Sequence, residues 1–72
     1  MSEMGVETIE EKIVIYADQF GRWWWTHAEY VNGIVSRIIA DCPAPYANHD
    51  QAQSGAETYE AGLDHDVPIS DQ

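Results

Sequence analysis

The side chains able to do chemistry in this 72-residue chain are mostly carboxylates: 13 Asp and Glu stand against 3 Lys and Arg, giving a formal net charge of −10. A carboxylate can act as acid, base, metal ligand or plain counter-charge, and its neighbours decide which. Asp50, Gln53, Glu57, Glu60 and Asp64 recur at intervals of three and four residues, so on a helix they line up as one stripe. From Asp50 to Asp64 that stripe would rise about 21 Å at 1.5 Å per residue, comparable with roughly six phosphate steps of about 3.4 Å along a nucleic-acid strand. A row of carboxylates on that scale can imitate a phosphate backbone and seat in a cationic groove.

The remaining reactive groups point to less. His27, His49, His65 and Cys42 include no pair at the short spacing of a zinc half-site, and Asp64-His65-Asp66 reads as a solvated cluster. No metal or cofactor is expected. Nucleophilic catalysis needs a thiol or hydroxyl beside a fixed base, whereas Cys42 lies in the turn Cys42-Pro43-Ala44-Pro45 with no histidine at a suggestive distance along the chain. No glycine-rich phosphate loop occurs either. A non-enzymatic protein is therefore expected, with Cys42 as a reduced, packed residue of an intracellular chain.

Charge is also segregated along the sequence. Residues 12–41 contain Lys12, Arg22 and Arg37 and balance them with Asp18, Glu29 and Asp41, so the net charge lies outside this block. Glu3, Glu7, Glu10 and Glu11 precede it; Asp50, Glu57, Glu60, Asp64, Asp66 and Asp71 follow it. Nucleic acid and anionic lipid both need Lys and Arg for neutralisation, so direct binding to either is disfavoured and a basic surface on a partner is the natural counterpart. The start MSEMGVETIEE has neither the basic nor the apolar region of a signal peptide, and no run approaches a membrane span. A cytoplasmic protein is expected, in the host cell's cytoplasm if phage-encoded.

The elements that must position these groups follow from periodicity. Ile13, Ile15 and Ala17 alternate with Val14 and Tyr16, which predicts a strand ending near Asp18. A second strand, Arg22 to Ala28, sets Trp23, Trp25 and His27 on one face and Trp24 and Thr26 on the other. Asn32-Gly33 is a type I′ hairpin signal, and Ile34 to Ala40 return as a third strand. After the prolines the period changes. Ala52, Ala56, Tyr59 and Leu63 form one helical stripe behind a cap at Asn48, with Gly62 and Pro68 bracketing the end.

The predicted class is α+β: a three-stranded antiparallel meander with one C-terminal α-helix packed on one face. Its divisions are an acidic N-terminal segment, 1–11, a single ββ-β-α domain, 12–66, and a flexible tail, 67–72. Trp24 is predicted on the open sheet face, in water or against a second copy of the chain.

The order Ile15-Tyr16-x-Asp18-x-x-Gly21-x-Trp23-x-Trp25, then Asn32-Gly33, Ile39-Ala40, Tyr46 and Ala52-x-x-Gly55-Ala56-Glu57 resembles the small YegP-type domain of unknown function over residues 13–59. The resemblance implies a strand–strand–strand–helix unit that pairs with a second copy, hence a possible homodimer. In acidic character, without a shared motif, the chain is also similar to phage-encoded anti-CRISPR proteins.

Two functions are expected from these readings. The first is a non-enzymatic inhibitor that occupies a basic nucleic-acid-binding surface of a defence complex through Asp50, Glu57, Glu60 and Asp64, with Trp24 fixing the register. The alternative is a YegP-type homodimer whose acidic surface is a halophilic adaptation.

Overall fold

The computed structural model describes residues 8–72, so most of the acidic N-terminal segment lies outside the described residues. Strand β1 spans Ile9–Ala17, β2 Trp23–Val31 and β3 Ile34–Asp41; helix α1 spans His49–Ala61, and strand β4 Ile69–Asp71. The sheet order is β3-β2-β1-β4. The first three strands form the expected antiparallel meander.

Local chemistry explains each turn. Between β1 and β2 the Asp18 carboxylate accepts the backbone amides of Phe20 at 2.9 Å and Arg22 at 3.0 Å, and Gly21 supplies the positive φ of 79°. Between β2 and β3, Asn32 and Gly33 take φ of 54° and 84°, as a type I′ turn requires. The register then sets Ile13 opposite His27 and Ile15 opposite Trp25, so the apolar residues of both strands share one face.

Helix α1 covers that face. Asn48 caps it by accepting the Gln51 amide at 2.9 Å, and Gly62 ends it. Ala52 and Ala56 are fully buried against Ile13, Ile15, Trp25, Cys42 and Val67. Small residues there let the helix backbone approach the sheet closely. Gly55 is required for a similar reason, since a Cβ at this position would run into the Tyr46 hydroxyl. That hydroxyl sits 3.3 Å from the indole Nε1 it accepts from, on Trp25.

Two expectations are corrected. The sheet has four strands and is mixed, because Ile69, Ser70 and Asp71 pair in parallel with Ile13, Val14 and Ile15. The segment expected as a flexible tail is thus held by backbone hydrogen bonds, including Ile13 N–H to the Pro68 carbonyl and Gln72 N–H to the Ile15 carbonyl, each 2.9 Å. Val67 anchors the approach to β4 by burying its side chain in the core. The second correction concerns boundaries: β1 begins at Ile9, ahead of the predicted domain start at 12, and α1 stops at Ala61.

Candidate functional site

The carboxylates expected to form one stripe separate into three environments. Asp50 and Glu57 are exposed on α1; the Asp50 side chain is 99% accessible, and Glu57 accepts the Gln53 amide at 3.3 Å. Glu60 lies nearer the packed side. It is half-buried and accepts the Val67 backbone amide at 3.1 Å, so it holds the approach to β4. Asp64 follows the end of α1 and sits 2.7 Å from His65 Nδ1. The helical rise from Asp50 to Asp64 anticipated from periodicity therefore does not form, because Gly62 ends the helix first.

Trp24 occupies the face opposite α1, as alternation from buried Trp25 requires. It is half-buried, and its Nε1 donates to Asp18 Oδ2 at 2.9 Å while the Arg22 guanidinium lies 5.9 Å from its ring. Those donors hold the Asp18 carboxyl down at about 2, the Trp24 indole contributing most and the Arg22 and Phe20 amides adding to it. Trp24 and the helix carboxylates thus stand on opposite sides of the sheet. One flat partner surface cannot touch both.

A cluster that spacing did not reveal joins the two ends of the described chain. The Tyr59 hydroxyl lies 2.6 Å from His27 Nδ1, His27 Nε2 lies 2.5 Å from Glu11 Oε2, and His65 Nε2 lies 3.0 Å from both Glu11 oxygens. An ionised carboxylate only accepts, so His27 donates from Nε2 to Glu11, while its Nδ1 shares a hydrogen bond with the Tyr59 hydroxyl. His65 has a carboxylate on each ring nitrogen, Asp64 on Nδ1 and Glu11 on Nε2, and both nitrogens must donate. Its ring is charged in this arrangement.

The pKa directions agree with this geometry. His65 is raised above its ordinary value, by Asp64 first and then by Glu11. Glu11 is lowered, by its hydrogen bond with His65 and next by that with His27, and Asp64 is lowered by His65. Burial raises the Tyr59 hydroxyl, with the Glu11 charge adding to it. On the other side of β4, His49 Nε2 lies 2.7 Å from Asp71 Oδ1, which raises His49, while its ring meets Trp23 edge to face at 5.1 Å. Two histidines thus fasten the C-terminal segment to the sheet and helix.

Chemically, this network stores a proton between carboxylates and satisfies buried His27, which is 2% exposed. No group of three His, Cys, Asp or Glu among the described residues is arranged to hold a metal ion. Cys42 is buried, and its Sγ accepts the Trp25 amide at 3.4 Å. No single step along the sequence announced the network, since Glu11 is 16 residues from His27 and 54 from His65. No described helix is long and apolar enough to cross a membrane.

Comparison of the chain with protein-family models, characterised proteins and solved structures gives no match. The functional reading therefore rests on the residues themselves.

Proposed function

We propose that this chain is a non-enzymatic interaction protein whose acidic helix layer occupies a basic, nucleic-acid-binding surface of another protein and competes there with the nucleic acid. What carries the reading is the solvent exposure of Asp50 and Glu57 on α1, in a half of the chain, residues 42–72, that has six carboxylates and no Lys or Arg. Asp50 and Glu57 are seven residues apart, two helical turns or about 10.5 Å, close to three phosphate steps of about 3.4 Å. Asp66 extends the exposed negative surface beyond the helix end. Glu60 serves as a brace for Val67, and Trp24, on the far face, has no part in this contact.

Exposed charges at such a surface act through long-range attraction and fast association more than through tight packing. An inhibitor built this way needs a cationic groove and little shape matching. A defence complex that holds guide or target nucleic acid in such a groove is the kind of partner that fits. The test is a titration of the chain against a fluorescent arginine-rich nucleic-acid-binding peptide at rising salt, with duplex DNA as competitor. Binding should weaken with salt, yield to DNA, and fall about tenfold or more for Asp50→Lys with Glu57→Lys, two attractions turned into repulsions of up to about 1 kcal/mol each. Equal affinity in the double variant removes the proposal.

A further inference from the structure

Beside its acidic stripe, α1 borders a groove. Asp50, Gln51, Ser54, Gly55 and Thr58 of the helix line it together with Tyr46 from the preceding loop, and the open volume is about 690 Å³. Asp50, Ser54 and Thr58 follow one another at intervals of four residues, so they share one side of the helix. Gly55 lets the aromatic wall come close, since a Cβ there would meet the Tyr46 hydroxyl and ring. Tyr46 is also fixed in advance. Its backbone exchanges two hydrogen bonds with Trp23, at 2.8 and 3.0 Å, and its hydroxyl accepts from Trp25 Nε1 at 3.3 Å. A rigid, half-buried ring of this kind loses little freedom when something packs on it.

Charge and hydrogen-bonding capacity select the occupant. Residues 42–72 contain no Lys or Arg, so the field over the groove is negative and an anion is repelled. His49, next to Asp50, lies 2.7 Å from Asp71, its nearer carboxylate, and 3.6 Å from Asp50. Gln51 Oε1 already accepts the Ala47 amide at 3.3 Å. What the groove offers is a carboxylate on Asp50, hydroxyls on Ser54 and Thr58, and the face of an aromatic ring. A lysine ammonium is a compact, strongly hydrated charge and uses that set poorly. A guanidinium is flat and weakly hydrated, stacks on aromatic faces, and carries five N–H donors to divide among acceptors.

We propose that this groove is the seat of one arginine side chain of the partner, its guanidinium stacked on the Tyr46 ring and donating to Asp50 and Ser54, with its aliphatic stem along Thr58. The inference rests on the reading of α1 as the contact layer, and it adds what long-range charge lacks: a fixed point that sets register and favours arginine over lysine. The chain's own N-terminal residues do not compete for the Tyr46 end of the groove. Thr8 bonds Asn32, nine residues along β2 from the Trp23 that pairs with Tyr46, or about 30 Å at about 3.3 Å per residue. The seven residues ahead of Thr8 span at most about 25 Å.

The test uses two versions of one basic nucleic-acid-binding peptide, with arginine or with lysine at every cationic position, titrated against the full chain by fluorescence anisotropy. The arginine peptide should bind about fivefold to tenfold tighter. Ser54→Leu fills the groove from an exposed helix position and keeps every charge, so circular dichroism should be retained while the arginine peptide falls to the level of the lysine peptide. Nuclear Overhauser contacts between the Cδ protons of Nα-acetyl-arginine amide and the Tyr46 ring of the wild-type protein give a check that involves no variant. Equal binding of the two peptides, both lost with Asp50→Lys and Glu57→Lys, overturns the arginine seat and leaves the acidic contact standing. An arginine preference that survives Ser54→Leu overturns the seat as well. Contacts of the arginine amide with Tyr46 while neither peptide binds would keep the seat and remove the acidic contact; the absence of both removes both.

Discussion

The two faces of one sheet are made from the same strands and meet different fates. On the helix side, Ile13, Ile15, Trp25 and His27 are almost wholly buried, and the buried histidine is matched with Glu11 and Tyr59. On the open side their immediate neighbours Val14, Tyr16, Trp24 and Thr26 remain half-exposed. Alternation along a strand delivers both faces at once, so composition alone does not tell which will be covered. The difference comes from what arrives later in the chain. Ala52 and Ala56 let a helix lie close to one face, and no described segment reaches the other.

The largest test of this contrast is a pair of adjacent tryptophans. Trp25→Ala removes a side chain that is 4% exposed and should cost about 3–5 kcal/mol, enough to unfold so small a domain at room temperature. Trp24→Ala should cost about 1 kcal/mol, roughly the hydrogen bond to Asp18 and part of a contact. Urea titrations followed by circular dichroism would show both, and similar costs for the two would erase the distinction between the faces. Next in size is Gly55→Ala, which forces the Tyr46 ring off the helix and should cost about 1–3 kcal/mol with a loss of the Trp25 indole contact visible in near-ultraviolet dichroism.

A third effect belongs to the helix side alone. His65 and His49 have raised pKa values, so the stability of their contacts is full below the ordinary 6.5 and is lost as pH climbs through the raised values. Glu11 and Asp64 are lowered from 4.5 and 3.8, so their share is full above those values and is lost as pH falls through the depressed ones. The C-terminal segment should accordingly be held best between 4.5 and 6.5. Melting temperature against pH should decline on both sides of that window, and His65→Asn with His49→Asn should flatten the alkaline decline. The smallest effect on folding is expected for Asp50→Lys with Glu57→Lys. Stability should stay within about 0.5 kcal/mol at moderate salt, since both groups already stand in water; a requirement for molar salt to fold would instead favour the reading of the acidic surface as hydration.

Much of the fold was legible in the order of residues. The alternation through Ile13 and Trp25, the Asn32-Gly33 turn, and the Asn48 cap each act within a few positions, and each formed as expected. Strand β4 was hidden because three residues after a proline carry little periodicity, and their parallel partner is more than fifty positions away. The His27, Glu11 and His65 cluster was hidden for the same reason. Glu60 misled in a subtler way: its helical phase places it beside the exposed carboxylates, but it also borders the buried stripe, and the Val67 amide decided its direction. Pairings between distant segments are what local patterns leave open.

The parallel pairing of Ile69–Asp71 with Ile13–Ile15 of β1 has a kinetic side. Closing a loop of that length is entropically slow compared with folding a hairpin, so the meander should assemble before β4 joins it. The same three-residue ladder should be the first to come apart, and amide exchange at Gln72 and Ile13 should report an opening well below the energy of global unfolding.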